Sequence, residues 1–474
     1  MEGYQVFPGP ENQTIMKYFF ETYGCQMNTA ESAALSLAAR ERGWEEAENS
    51  DSADLVLLNT CSVRETAERR VRGRLAFYAA LKKKRPAGQP FALVMAGCMA
   101  ERLGEKLRQD VPAVDYVMGT SARSRFPLIL EAVEQGHGGA LRPLVETDEK
   151  PEFSFSTVHL DEQVDGRAFR SFVPIMHGCN NYCSFCIVPY VRGREVSRSP
   201  DAILDEIRLV GERGVREITL LGQNVNSYLW EAGGSNGRLD FPGLLELIAS
   251  NIDSSPGGKG VRWIRFLSSH PKDFSPQVIR VIAENPVFCR HIHLCVQHGS
   301  NVILSEMNRR YTREHYLDLV SRLRSAMPGL SLSTDILVGF PGETEEDLEL
   351  TLALMEEVKF LYSFMYHFNP REGTAAYGLP GRISEDVKRK RLSRVIDLQK
   401  QHTAELLKSR IGEQVTVLIE GISRKNADEL ISRTERDEMV VVPGSAGAIG
   451  SFGKLTLSSL RGNTFRAPVF EQLS

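Results

Sequence analysis

Apolar and polar positions along this chain follow two rhythms, one of short strands and one of helices. Near the N-terminus, "KYFFETYGC" (17–25), "DLVLLNTC" (54–61) and "FALVMAGC" (91–98) are apolar runs that predict buried strands. Each ends in a cysteine, and sequence of helical character such as "NTAESAALSLAARERG" follows. Cys25, Cys61 and Cys98 lie 36 and then 37 residues apart, which suits a strand–helix–strand step of upwards of about 30 residues. Parallel strands joined by helices bring their C-terminal ends to one sheet edge, so the three thiols are expected to meet there as a metal site. The alternative is that each is a small buried hydrophobe.

A stretch with glycines, prolines and no period, "EQGHGGALRPLVETDEKPEFS" (134–154), reads as a linker. After it, "SFVPIMHG", "ITLLGQN", "VRWIRFLSS", "HIHLCVQ", "LSLSTDILVGF" and "YSFMYHF" predict six strands with helical segments between them. That is a barrel or part-barrel of parallel strands, whose reactive residues sit beyond the strand C-termini. Gln223, Asn224, Gln297, Asp335 and the "GFPGET" turn with Gly339 and Gly342 all fall at such ends. Beyond Ser409, "GEQVTVLIEG", "ELISRTERDEMVVVPG" and "GSFGKLTLSSL" are β-branched runs cut by glycines, which predict a small antiparallel barrel. The expected fold class is therefore α/β: an N-terminal parallel α/β domain (1–145), a central (β/α) part-barrel (165–400) and a small C-terminal antiparallel β-barrel (405–472).

Composition changes this picture little. With 474 residues, 42% apolar and 25% charged, the chain is long enough for about three globular domains. The opening "MEGYQVFPGPENQ" has no basic then apolar signal pattern, and no run is long enough to span a bilayer. A cytoplasmic monomer without a membrane partner is expected, in a compartment where clustered thiols more often bind metal than pair. The net charge of −4 argues against coating nucleic acid by bulk electrostatics, yet basic residues gather locally. They do so in "VRETAERRVRGR" (63–74), "KKKR" (82–85) and "VKRKRLSR" (387–394), where a solvated helix face is the competing reading.

The segment "HGCNNYCSFC" (177–186) holds Cys179, Cys183 and Cys186 within eight positions. Structural zinc wants four ligands and a disulfide wants two. Three thiolates can ligate three irons of a [4Fe–4S] cluster and leave the fourth iron for a substrate atom. A zinc reading needs one more ligand, for which His177 or Cys295 is available.

C-x3-C-x2-C with Phe185 before the last cysteine, at the end of a first barrel strand, resembles the radical S-adenosylmethionine superfamily. That resemblance implies S-adenosylmethionine bound at the open iron and cleaved to a 5′-deoxyadenosyl radical. Across essentially the whole chain the sequence resembles the methylthiotransferases, which join an N-terminal three-cysteine domain, a radical part-barrel and a C-terminal TRAM-like barrel. "ETYGCQMN", "NTCSVRETAERRVRGRL", "GCNNYCSFCIVPYVRGREVSR", "LLGQNVNSY", "MNRRYT" and "DILVGFPGETEED" are similar to the branch acting on N6-isopentenyladenosine 37, next to the tRNA anticodon. The alternatives are the branches acting on N6-threonylcarbamoyladenosine 37 or on an aspartate of a ribosomal protein.

The resemblance implies two [4Fe–4S] clusters, one on Cys179, Cys183 and Cys186 and an auxiliary one on Cys25, Cys61 and Cys98. It also implies two S-adenosylmethionine molecules per turnover, a tRNA anticodon stem-loop as partner, and electron and sulfur donors that the sequence does not identify. Gln223, Asn224, Gln297 and Asp335 are the candidates to position S-adenosylmethionine, with strand-end capping as the alternative. Arg192 and Arg194 are candidates for substrate phosphate or for pairing with Glu195, and the C-terminal barrel with the two basic helices for gripping RNA. Deleting residues from about 410 onward is expected to weaken tRNA binding more than cofactor cleavage. Where the family usually reads "HLPVQSGS" this chain has "HLCVQHGS". Cys295 is read as a small apolar replacement for proline, with an extra ligand or sulfur carrier as the alternative. His298 replaces a small polar residue near the expected cofactor pocket, and Cys289 reads as a buried thiol that ligates nothing.

Overall fold

The computed structural model describes residues 15–62, 65–86, 89–136, 169–231, 237–252 and 260–473. The chain forms two compact units, Met1–Ser156 and Thr157–Ser474. From residue 137 on, the expected linker lies outside the described residues, as do Val63 and Arg64 of the first basic stretch.

In the first unit, β1 (Lys17–Thr22), β2 (Glu45–Glu46), β3 (Leu55–Thr60), β4 (Ala92–Gly97) and β5 (Tyr116–Met118) form a parallel sheet in the order β2-β1-β3-β4-β5. Helices α1 (Gln26–Glu41), α2 (Glu65–Lys84), α3 (Cys98–Asp110) and α4 (Phe126–Glu134) connect and cover it. Every residue of β3 and β4 is buried, which is why both read as unbroken apolar runs. The pleat divides them between two cores. Leu55, Leu57, Val94 and Ala96 join one cluster, and Val56, Leu58, Leu93 and Met95 the other.

The second unit opens with the six expected parallel strands: Arg170–Pro174, Glu217–Leu221, Trp263–Phe266, His291–His293, Ser331–Val338 and Tyr362–His367. They pair as two three-stranded sheets, joined by parallel bridges at Ile264–Phe288 and Ser269–Leu294. Helix starts are marked by side-chain caps that the sequence supplies. Ser275, Thr312 and Thr344 each accept from the backbone N–H three residues further on, satisfying donors the helix cannot.

Strands Gln414–Ser423, Asn426–Thr434, Met439–Pro443 and Phe452–Thr456 then build a seven-stranded sheet with three shorter pieces. Its pairings are antiparallel except for Met439–Pro443 with Thr464–Arg466, which run parallel. This sheet packs on the N-terminal rim of the part-barrel. Phe169, Trp263, Cys289 and Leu361 share one hydrophobic cluster with Val417, Phe452 and Leu455. Polar contacts reinforce it: Arg265 donates to the carbonyls of Thr434 (2.9 Å) and Glu435 (3.0 Å), and the Tyr362 hydroxyl to Asp437 (2.8 Å). The shared core explains why these two parts of the chain form a single unit.

Candidate functional site

Cys179, Cys183 and Cys186 lie on the loop beyond the first barrel strand, and the fold holds that loop from two sides. Gly178 has φ +77°, and a Cβ there would meet the Arg194 carbonyl oxygen at 2.0 Å, so only glycine lets the chain pass. The Cys179 N–H donates to the Gly193 carbonyl (3.2 Å). The Glu195 carboxylate accepts from the Asn180 backbone (3.1 Å) and side chain (3.3 Å), so this acid closes the loop. On the other side, Asn308 donates to the carbonyls of Asn181 (3.2 Å) and Tyr182 (2.9 Å), and Ser184 N–H to that of Met307 (3.0 Å). Phe185 packs against the cluster of Ile303, Met307, Phe340 and Phe368.

Sequence reasoning missed Arg309, although "MNRRYT" contains it. It is buried, and its Nη1 lies 3.3 Å from the Cys183 sulfur while Nη2 donates to the Cys295 carbonyl (2.7 Å). Burial pushes the Cys179 thiol up to about 11 and Cys186 up to about 12, and the nearby charge of Cys183 adds to both. Three thiols on one loop can become thiolates when a metal centre shares them, as in an iron–sulfur ligand set. Among the described residues, the ligand group compact enough for one ion, with all atoms within 4.8 Å, is His293, Cys295 and Asp335. Neither His177 nor Cys295 therefore completes a one-zinc site with the loop thiols.

In the first unit the cysteines take the positions the spacing predicts. Cys25 caps α1, Cys61 follows the last residue of β3, and Cys98 opens α3 directly after β4. Strands β1, β3 and β4 are neighbours, with Thr22 opposite Asn59 and Thr60 opposite Gly97. Two glycines let these ends approach. A Cβ on Gly24 (φ +133°) would sit 2.6 Å from the Cys61 Cβ, and one on Gly97 (φ +88°) would sit 2.6 Å from the Thr60 carbonyl. Asn28 ties the edge together by donating to the Tyr23 and Thr60 carbonyls (3.1 Å each) and accepting from the Cys25 thiol (3.3 Å). Cys61 and Cys98 are buried and Cys25 is exposed, so the set opens to solvent on one side.

Beyond the ends of the second and third barrel strands, buried polar atoms without hydrogen-bond partners gather. They are Gln223 Oε1, Asn224 Oδ1, Asn226 Nδ2, Ser269 Oγ and His270 Nε2. Each such group costs about 1–3 kcal/mol when left dry, so a concentration of them at a barrel mouth suits a polar ligand. Asn224 is oriented by donating to Asp273 (2.8 Å). Gln297 has φ +69°, and its backbone pairs with Asp335 and Leu337 (2.9 and 2.8 Å). Sequence reasoning missed Asn226, Ser269 and His270, although "NVNSY" and "SSHPKD" lie in the same strand-end positions.

Asp335 and the two departures from the family pattern, Cys295 and His298, have buried partners of their own. The Asp335 carboxylate faces His293 (3.5 Å), and Cys295 does too, its sulfur 3.2 Å from His293 Nε2. Burial works to raise the Asp335 carboxyl, but the hydrogen bond and charge of His293 hold it below its usual range. Cys295 is thus more than an apolar filler. His298 is wholly buried and turned to the Thr351 hydroxyl (3.2 Å) and the Glu343 carboxylate (3.4 Å). Glu343 in turn accepts from the N–H groups of Gly339 (2.6 Å) and Phe340 (3.1 Å) and pairs with Arg391 (2.9 Å). The glycine turn is therefore braced against helix Glu385–Ser409, where a Cβ on Gly339 would meet Lys388 at 2.5 Å. Cys289 sits in the apolar cluster beneath the C-terminal sheet.

The basic helix 385–409 has acidic partners for most of its cations: Lys388 with Glu385, Arg389 with Asp386, Arg391 with Glu343, and Arg394 with Glu345 and Glu349. In α2 and its flank, Arg74 pairs with Glu21, and Lys82 with Asp115, while Arg69, Arg70 and Arg72 are exposed. In the C-terminal sheet Arg424 and Lys425 stand exposed at a turn and Arg461 stands exposed at a strand end.

Comparison with known proteins places this chain in a family. Residues 17–119 match Uncharacterized protein family UPF0004, residues 173–355 the Radical SAM superfamily and residues 408–467 the TRAM domain. The fold resembles that of the radical S-adenosylmethionine methyltransferase TsrM from Kitasatospora setae, solved with cobalamin and a [4Fe-4S] cluster bound. That likeness has a TM-score of 0.57 at 15% identity over 77% of each chain. A tRNA-2-methylthio-N(6)-dimethylallyladenosine synthase from Treponema denticola is 49% identical over 95% of this chain and 99% of its own, and one from Bacteroides thetaiotaomicron 41% over 95% of each. With three-thiol sets in both units and relatives this similar from end to end, the chain belongs to the tRNA-2-methylthio-N(6)-dimethylallyladenosine synthase family.

Proposed function

We propose that this protein is a radical S-adenosylmethionine methylthiotransferase that places a methylthio group on C2 of N6-isopentenyladenosine 37 in tRNA. The observation that carries this reading is a set of three cysteines in each unit, both beyond the C-terminal ends of parallel strands. In this reading Cys179, Cys183 and Cys186 hold one [4Fe–4S] cluster and Cys25, Cys61 and Cys98 hold a second. When bound, these groups and S-adenosylmethionine supply a radical that takes hydrogen from adenine C2 and a sulfur that accepts the methyl group.

The chain's own residues orient and shield that chemistry. Gln223 and Asn224 present buried oxygens without donors, which suits the ammonium group of S-adenosylmethionine, and Gln297 lies on the same rim. Arg309 keeps a positive charge against Cys183, where thiolate and cluster charge accumulate. Tyr182 and Tyr190 are exposed beside the loop, edge to face at 6.0 Å, and offer aromatic faces to a splayed-out base. Arg424, Lys425 and Arg461 supply phosphate contacts on the C-terminal sheet.

The test is anaerobic turnover of the reconstituted enzyme with tRNA carrying N6-isopentenyladenosine, followed by mass spectrometry of the nucleosides. The methylthiolated nucleoside is expected. Its absence, with S-adenosylmethionine still cleaved, would overturn the substrate assignment.

A further inference from the structure

Three side chains at the barrel mouth converge in a way the chemistry above does not use. His293 ends the fourth barrel strand, Cys295 follows two positions later, and Asp335 lies on the adjacent fifth strand. The Cys295 sulfur is 3.2 Å from His293 Nε2, and Asp335 Oδ2 is 3.5 Å from the same nitrogen. A proton relay from thiol through imidazole to carboxylate would use opposite ring nitrogens. Here both partners crowd Nε2. The other nitrogen, Nδ1, lies 3.0 Å from the buried Ser333 hydroxyl.

Convergence of nitrogen, sulfur and oxygen on one point is how a protein holds a metal ion, and an outer partner on the second imidazole nitrogen fixes the tautomer that ligates. A tetrahedral ion with bonds of about 2.0–2.3 Å has ligand–ligand edges of about 3.3–3.6 Å. The nitrogen–oxygen edge here, 3.5 Å, falls within that range and the sulfur–nitrogen edge, 3.2 Å, just short of it, and all three ligand atoms lie within 4.8 Å of one another. His293 and Cys295 are buried, whereas the Asp335 side chain is 26% exposed, which leaves one side of the set open.

We propose that His293, Cys295 and Asp335 form a mononuclear site for a divalent cation of the zinc or iron(II) class, with its fourth position open. Thiolate with imidazole selects such ions over magnesium or calcium. The site neighbours the radical loop, because Arg309 bridges the Cys183 sulfur and the Cys295 carbonyl. It is particular to chains with a ligand at 295, since the proline usual in the family offers none. The proposal stands whether or not the tRNA assignment does.

The probe is zinc. Holoenzyme reconstituted with iron and sulfide is equilibrated with zinc, desalted and analysed for both metals, in wild type, Cys295→Ala and Cys295→Ser. About one zinc per chain is expected in wild type, bound at least tenfold more weakly in Cys295→Ala, at unchanged iron content. X-ray absorption at the zinc edge should show one sulfur at about 2.3 Å and nitrogen or oxygen at about 2.0 Å. Equal zinc in wild type and Cys295→Ala, zinc gained only as iron is lost, a sulfur-only shell, or no zinc retained would each overturn the site. The unchanged iron content, with Cys295→Ser as the milder variant, shows that the protein remains folded.

Discussion

Arg309 reaches the Cys183 sulfur across 3.3 Å from a wholly enclosed position. With Cys183 a thiolate, as a cluster ligand would be, the buried guanidinium makes a charge-assisted contact worth about 1.5–3 kcal/mol. Its positive charge also favours the reduced, more negative state of any cluster on that thiolate. Arg309→Ala is expected to lower iron retention and shift the cluster's midpoint potential to more negative values, with Arg309→Lys intermediate. A redox titration followed by electron paramagnetic resonance checks this, and an unmoved potential would reduce Arg309 to a packing residue.

The N-terminal thiols call for an iron count. Wild type reconstituted anaerobically is expected to hold about eight irons, and the Cys25→Ala/Cys61→Ala/Cys98→Ala variant about four. The variant should still cleave S-adenosylmethionine but make no methylthiolated nucleoside. About four irons in both proteins would make the three cysteines core residues and remove the second cluster from the mechanism.

RNA binding is better tested by charge than by truncation. Removing residues from 410 onward would strip the cover from Phe169, Trp263 and Leu361 on the barrel rim and unsettle the barrel itself. Reversing exposed charges avoids this. Arg424→Glu with Lys425→Glu is expected to weaken tRNA binding and reduce the slope of log K against log salt by about 1 per lost phosphate contact. Cofactor cleavage without RNA should be unaffected. An unchanged slope would move the RNA footprint off this sheet.

Acid sensitivity follows from two buried imidazoles. Burial lowers His291, stacked on Tyr362 at 5.4 Å, to about 3, and burial with the charge of Arg309 lowers His270 to about 2. Both folded values lie below the unfolded value of about 6.5, so their full contribution is present above that pH. It is lost as pH falls toward the folded values, because the unfolded chain takes protons that the folded chain refuses. Stability should drop by about 1.4 kcal/mol per pH unit per histidine below about pH 6.5. Urea midpoints between about pH 7.5 and pH 5.5 test this, and His291→Phe should flatten the dependence by one proton's worth.

What could be read from the sequence was what the chain writes locally. The cysteine spacing in the first unit is the length of a strand–helix step, so Cys25, Cys61 and Cys98 could be placed on one edge before any coordinates. The six barrel strands and the β-branched C-terminal runs were legible for the same reason. Arg309 was not, because its meaning depends on meeting Cys183 from 126 positions away. The basic run at 387–394 misled in the same manner: its acids come from residues 343–349 as well as from its own first turn. Cys295 read as a filler because nothing in "HLCVQHGS" reveals Asp335 on the neighbouring strand.

The C-terminal sheet rests on the strand starts of the part-barrel, and the three-thiol loop lies past the strand ends. The first barrel strand, Arg170–Pro174, separates these two levels by about 16 Å at about 3.3 Å per residue. In the proposed function, an RNA held at both levels would be measured as well as recognised. The β-strands would then act as the fixed beam of a caliper, and the nucleotide that reaches the loop would be chosen by its distance along the stem-loop. Altering that beam should change which nucleotide is presented before it changes how tightly the RNA is held.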